Sequence, residues 1–221
     1  MSRVAAVLLA AALGAACAAG SGRGAGDDSD DYIRYVAFRV PGGESVLLRW
    51  PERRMPLRVH LPRPPAEFVA DPDAVFDAVR DGISDWSDAA GPGLPAFAFV
   101  DDAGAADIPI VWAAEPDGDW YIAHCAWDVD VFARRFGVSR ILVTARWGDR
   151  REASLDDLYH TVLHEMGHAL GLGGHSPAQG DVMYWRVSGK ASGLTARDRE
   201  TLRLLYARPI GHRVIGARRS D

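Results

Sequence analysis

The chain has 221 residues, 48% of them hydrophobic, with a net charge of −5 and a pI near 5.8. That length supports one domain with a full core, and that composition excludes a wholly disordered chain. The 30 acidic residues outnumber the 25 basic ones and no long basic run appears, which excludes non-specific nucleic-acid binding.

The first residues belong to export rather than to the fold. Arg3 gives a positive start, residues 4–16 are an apolar run too short to span a membrane, and small residues follow. This is the pattern of a secretory signal peptide over residues 1–16. Two cleavage readings stand. Leu13-Gly14-Ala15-Ala16-Cys17 resembles a bacterial lipobox, in which Cys17 is lipidated and becomes the new N-terminus, although Gly14 stands where the lipobox has leucine. The other reading is cleavage at a small-x-small site within residues 16–19, and plain secretion. Loss of residues 1–16 removes Arg3 and leaves a mature charge near −6, from −5 minus 1. Cys125 is then left without an intramolecular partner, because Cys17 is the only other cysteine. Residues 17–31, Gly/Ser-rich and then acidic, read as a flexible tether.

Residues 32–49 form a leader, read as a hairpin. Stretches 32–40 and 45–50 alternate as short strands about the turn Pro41-Gly42-Gly43. Leu57, Val59 and Leu61 put residues 56–61 on a strand, with Arg58 and His60 on its polar face. Val75, Val79, Ile83 and Trp86 predict an amphipathic helix over 73–90, capped by Asp71 or Asp73 and ended by Gly91-Pro92-Gly93. Strands are expected at 96–100, 108–113, 121–127 and 139–145. Asp101, Asp102 and Asp107 are where a calcium ion would be sought, but turn aspartates ordinarily cap backbone groups, so the pattern does not support calcium. A long helix follows from about 155 to 170, then an irregular segment, a helix over 194–206 with Thr195 as its N-cap, and a basic, mobile tail over 207–221. A catalytic domain over 50–206 follows from this order: an α+β fold with a sheet backed by two helices and a small C-terminal part.

The chemistry lies in residues 158–184, LYHTVLHEMGHALGLGGHSPAQGDVMY, which hold four of the seven histidines. Ser154 and Asp157 approximate a capping box for the helix. Leu155, Leu158, Tyr159, Val162, Leu163, Met166 and Leu170 form an apolar stripe, and His164 and His168 stand one turn apart on the other side. The stripe can pack on the sheet while both imidazoles look into a cleft. Two imidazoles on rigid backbone suit zinc, and Glu165 beside the first can take the proton of a water that the metal acidifies and pass it to a leaving amine. Gly171 can stop the helix through a positive φ, and the turned chain can bring back His175 as third ligand. His160, four before His164, would lie nearly in line with the other two and is read as a solvated helix-face residue.

The run His164-Glu165-x-x-His168-x-x-Gly171, a further His, then Ser176 and Val182-Met183-Tyr184 resembles the metzincin zinc endopeptidases, and among them the matrixins. The resemblance covers most of residues 50–206. It implies a twisted, mainly parallel five-stranded sheet with an antiparallel edge strand, two long helices behind it, and a small C-terminal subdomain with a Met-turn and a final helix. It implies one catalytic zinc held by His164, His168 and His175, with Glu165 catalytic and Met183 beneath the metal. It further implies that Ala123, His124, Cys125 and Ala126 lie on an edge strand where a peptide or protein substrate binds in extended form. The sequence departs from the family in having three residues between Gly171 and the third histidine, so the usual ligand position is Gly174. Trp185 follows Tyr184 where vertebrate matrixins have proline, and no cysteine-switch motif precedes the domain. His124 resembles the family's structural-zinc histidine, but no partner ligands are evident, so a second zinc is unsupported.

The leading expectation is therefore an exported zinc endopeptidase, secreted or anchored in the bacterial envelope by a lipid on Cys17, monomeric, with no other membrane attachment and no nucleic-acid partner. Two alternatives stand beside it. One is a surface zinc-binding module without catalysis, against which the retained Glu165 argues. The other is a zinc hydrolase of a non-protein amide, which a closed pocket would favour and an open edge strand would disfavour.

Overall fold

The computed structural model describes residues 30–88, 94–115, 122–186 and 192–218. The signal peptide, most of the tether with Cys17, and the Gly91-Pro92-Gly93 turn lie outside them. In chain order the elements are β1 (Phe38–Arg39), β2 (Ser45–Val46), β3 (Leu57–His60), α1 (Pro72–Asp88), β4 (Phe97–Phe99), β5 (Ile108–Trp112), β6 (Ala123–Trp127), β7 (Val138–Val143), α2 (Leu155–Ala169) and α3 (Ala196–Ala207).

β3 to β7 make one sheet in the order β4-β3-β5-β7-β6. All pairs are parallel except β6 with β7, which is antiparallel and leaves β6 at an edge. This is the mainly parallel sheet with one antiparallel edge strand that the resemblance implied. The parallel strands point Leu57, Val59, Ile108, Ile110, Ile141 and Val143 into the core, where α1 and α2 cover them. Asp71 starts α1 by accepting from the amide of Ala74. The helices pack closely because Gly82 has no side chain: a Cβ there would stand 2.7 Å from the carbonyl oxygen of Tyr159. Trp86, fully buried, then donates its indole N–H to the carbonyl of Leu163 at 2.7 Å.

The capping box on α2 is formed, with Ser154 accepting from Asp157 N and the Asp157 carboxylate accepting from Ser154 N. The apolar stripe is buried at Leu158, Val162, Leu163, Met166 and Leu170, but Tyr159 is half-buried and Leu155 is 46% exposed. The C-terminal half of α2 is buried on every side, His164 and His168 included, so the imidazoles do not simply face outward from a half-exposed helix. Sheet, α1 and the segment after His175 surround it.

The two ends of the described chain differ from the expectation. Only Phe38–Arg39 of the first predicted strand pairs with β2. Tyr32 and Val36 are both buried, but they sit four apart across a turn closed by Tyr35 N donating to Tyr32 O, a spacing that imitated alternation. Residues 45–50 are buried on both faces, not one. Nor does the segment after α3 trail free over its described length. Leu47 N donates to His212 O, Gly211 N to Leu47 O and Val214 N to Ser45 O, so residues 211–214 run antiparallel to β2 and extend the hairpin. These are main-chain bonds, which a basic composition neither requires nor forbids.

Candidate metal centre

α2 fixes two of the three candidate ligands. His164 and His168 lie one turn apart, and their rings are 4.8 Å apart between centroids. Each is locked through Nδ1 to a backbone carbonyl: His164 to Val182 O at 2.7 Å, His168 to Leu172 O at 2.6 Å. A carbonyl only accepts, so Nδ1 carries the proton and the Nε2 lone pair is left for a metal. Beyond Ala169 the chain turns at Gly171, whose φ is +106°, and returns with His175. The His175 ring stacks on that of His164 at 5.3 Å and meets that of His168 edge-on at 5.1 Å.

One ligand atom from each of His164, His168 and His175 lies within 4.8 Å of the others, and among the described residues no other set of His, Cys, Asp and Glu side chains does this. Burial keeps all three imidazoles neutral. His164 is held below the ordinary histidine range by burial, and His168 well below it by burial and then by its two neighbours. His175 is pushed down to about 4 by burial and then by His164. Three neutral, converging imidazoles, two of them fixed in the ligating tautomer, fit zinc and leave a fourth position for water or substrate.

Glu165 lies beside the cluster. Its carboxylate accepts the amide N–H of Cys125 at 2.7 Å. Burial pushes it up to about 8, against the lowering effect of that hydrogen bond. The register explains why a strand amide reaches it. Thr144 N donates to Ile122 O, so positions 122 and 124 exchange hydrogen bonds with β7 while the main chain of Ala123 and Cys125 turns to the open edge. Glu165 therefore sits at the unpaired side of β6. The Cys125 side chain is buried, and its thiol is pushed well up by burial and by Glu165.

Met183 is fully buried and lies under α2, its sulfur where a Cβ on Gly167 would stand. Asp198 secures that turn by accepting from Val182 N at 3.0 Å and Met183 N at 3.4 Å, while also capping α3. Asp181 braces it from the other side, accepting from Ser176 Oγ, Thr195 Oγ1 and Arg197 Nε.

Other candidates stand apart. His124 is exposed on β6. His160 bonds through Nδ1 to Asp156 O at 2.9 Å. Asp101, Asp102 and Asp107 do not converge: Asp102 accepts from Gly104 N, and buried Asp107 accepts from Arg54 and Arg58. Ala126 is half-buried on β6, and Trp185 lies 41% exposed after the Met183 turn. Sequence reasoning missed Trp127 and Asp198. The Trp127 indole N–H donates to His168 O at 3.1 Å and its ring meets the His168 ring edge-on. Asp198 had a signal, since Thr195-x-x-Asp198 is a capping box, but nothing in that box tells of its second task.

The sequence profile of the matrixin family of peptidases matches residues 61–207. No curated protein matches the chain significantly.

Proposed function

Because the chain belongs to the matrixin family of zinc metalloendopeptidases, we propose that it cleaves a peptide or protein held in extended form along β6, with His164, His168 and His175 holding the zinc and Glu165 moving the proton. The observation that carries this reading is the hydrogen bond from Cys125 N to Glu165. It joins a buried carboxylate beside the histidine cluster to the open edge of the sheet.

Zinc held by the three imidazoles would supply Lewis-acid polarisation of a carbonyl and a water acidified to a pKa of roughly 7. The chain's own residues do the rest. β6 offers the outward main-chain groups of Ala123 and the carbonyl of Cys125, whose N–H is held by Glu165, for pairing with a polypeptide as an added strand. His124 and Ala126 then flank the bound peptide. Glu165 takes the proton of the attacking water and hands it to the departing amine. Met183 and the carboxylate of Asp198 keep the floor of the site in place. An open strand edge suits a polypeptide better than a small amide, which would call for a closed pocket.

The test is digestion of a mixed peptide library by the purified protein, with and without a zinc chelator, read by mass spectrometry. Internal cleavages that vanish with chelator and return with zinc support the reading. Cleavage that ignores the chelator would contradict it.

We also propose export, with residues 1–16 removed and a lipid on Cys17. Among the described residues no helix is long and apolar enough to cross a membrane. Cys17→Ser should move the protein from the membrane fraction to the soluble one; an unaltered distribution would favour plain secretion.

A further inference from the structure

The family match begins at residue 61, yet the loop that carries His175 is seated on residues before it. From the end of α2 that loop runs Leu170-Gly171-Leu172-Gly173-Gly174-His175. Each of its glycines faces the leader. A Cβ on Gly171 would stand 2.4 Å from Leu48 O, one on Gly173 2.8 Å from the Phe38 ring, and one on Gly174 2.2 Å from Tyr35 O. Gly173 N donates to Val36 O at 2.9 Å. Of the three, only Gly171 has a positive φ. Gly173 and Gly174 are needed for close approach, and their approach is to Phe38 and Tyr35.

Phe38 touches the other side of the cluster as well. Its ring meets Trp127 edge-on at 5.2 Å and 74°. Trp127 in turn bonds to His168 O and lies edge-on to the His168 ring at 5.4 Å. One side chain thus leans both on the backbone two residues before His175 and on the indole that abuts His168. The leader is itself held at both ends. Tyr32 OH donates to buried Asp198 at 2.5 Å, and Leu47 is bonded to residues 211 and 212.

We propose that Phe38 is a positioning residue of the metal centre, and that Tyr35–Phe38 set where His175 stands relative to His164 and His168. A segment with two adjacent glycines has many conformations available and loses more entropy on ordering than any other. Leu172 is anchored in the core, but at Gly171, Gly173 and Gly174 it is the leader that packs against the loop. Its contacts pre-organise the loop, so zinc meets a formed triad rather than having to assemble one. The functional unit accordingly begins in the leader, ahead of the matched span. This inference rests on His175 being a zinc ligand.

The experiment uses the whole exported chain, stripped of metal and titrated with zinc against a chromophoric chelator, with the melting temperature of the zinc-free form measured in parallel. Phe38→Ala should weaken zinc binding about 10- to 100-fold, the range for loss of a group that supports a ligand. Phe38→Tyr, which keeps the ring, should restore it. Gly174→Ala supplies a second route should Phe38→Ala fold poorly: it drives a methyl group at Tyr35 O and should weaken zinc to a similar degree. If Phe38→Ala and Gly174→Ala bind zinc as tightly as the parent while His175→Ala does not, the leader's role is overturned and the ligand set stands. If His175→Ala also binds zinc as tightly as the parent, the ligand set itself is wrong.

Discussion

His164 and His168 are placed by a helix, His175 by packing. The helical pair needs only a spacing of four residues and a straight α2, which a capping box and the Trp86 hydrogen bond secure. The third ligand hangs from a loop with three glycines, which is tied to α2 through Leu172 and packs at its glycines against Tyr35, Phe38 and Leu48, distant in the chain. The same ligand chemistry is therefore reached by two kinds of order. Backbone hydrogen bonds within one element give the first, and contacts between segments distant in sequence give the second. On the helix, Glu165 can be changed to act on chemistry alone, whereas changes around the loop should act on metal affinity.

The largest break in this comparison is His175→Ala. It removes one of three imidazoles and should weaken zinc by more than about 100-fold, beyond the loss expected from a supporting group. Competition against a chelator measures it, and unchanged affinity would put the third ligand elsewhere.

The helical side can be sharpened through Glu165. Its folded pKa, about 8, lies above its ordinary value of 4.5. Between those values the unfolded chain has released a proton that the folded chain keeps, so this group lowers stability as pH rises through that window. In the zinc-free protein Glu165→Gln should raise stability by about 3 kcal/mol at pH 7 and by far less at pH 5, at 1.36 kcal/mol per unit of pKa. Gln can still accept from Cys125 N, so the hydrogen bond need not be lost. Equal melting temperatures for the two proteins across that pH range would mean the carboxylate is not buried as described.

On the loop side, Gly174→Ala should cost about 10-fold or more in zinc affinity, whereas Gly180→Ala should stay within about 0.5 kcal/mol of the parent. Both glycines lie near His175 in sequence, but a Cβ at Gly180 meets nothing within 4 Å. Equal effects at the two positions would remove the case for close approach. A smaller loss than that of Gly174→Ala is expected for Trp127→Phe, which keeps a ring but loses the N–H bonded to His168 O. One hydrogen bond of about 1 kcal/mol predicts a loss of a few-fold in zinc affinity; no change would leave the indole a packing group only.

The strands and helices along the chain were legible in the sequence because each is written in local periodicity, whereas the parallel sheet and its antiparallel edge were implied by the resemblance to the matrixins. Histidine spacing, the Ser154 cap and the stop at Gly171 lie within one short stretch, so the helical half of the site could be read directly. The ends could not. Residues 45–50 are buried on both faces, and residues 211–214 pair with 45–47; such main-chain pairing leaves no trace in side-chain pattern. The turn at 32–35 mimicked a strand for a related reason: two buried residues four apart fit either reading. The displaced ligand shows the same limit. That Gly174 cannot ligate was visible in the sequence, but that Tyr35 O fills the place of its side chain was not.

The central claim is that Glu165 moves the proton at a zinc site built by three histidines. Its most direct test is Glu165→Gln, with bound zinc and peptide hydrolysis measured on one preparation. The account predicts zinc held as in the parent and kcat lower by about 10²- to 10⁴-fold, the usual worth of a general acid–base group. Hydrolysis at the parent rate by the zinc-loaded variant would contradict it.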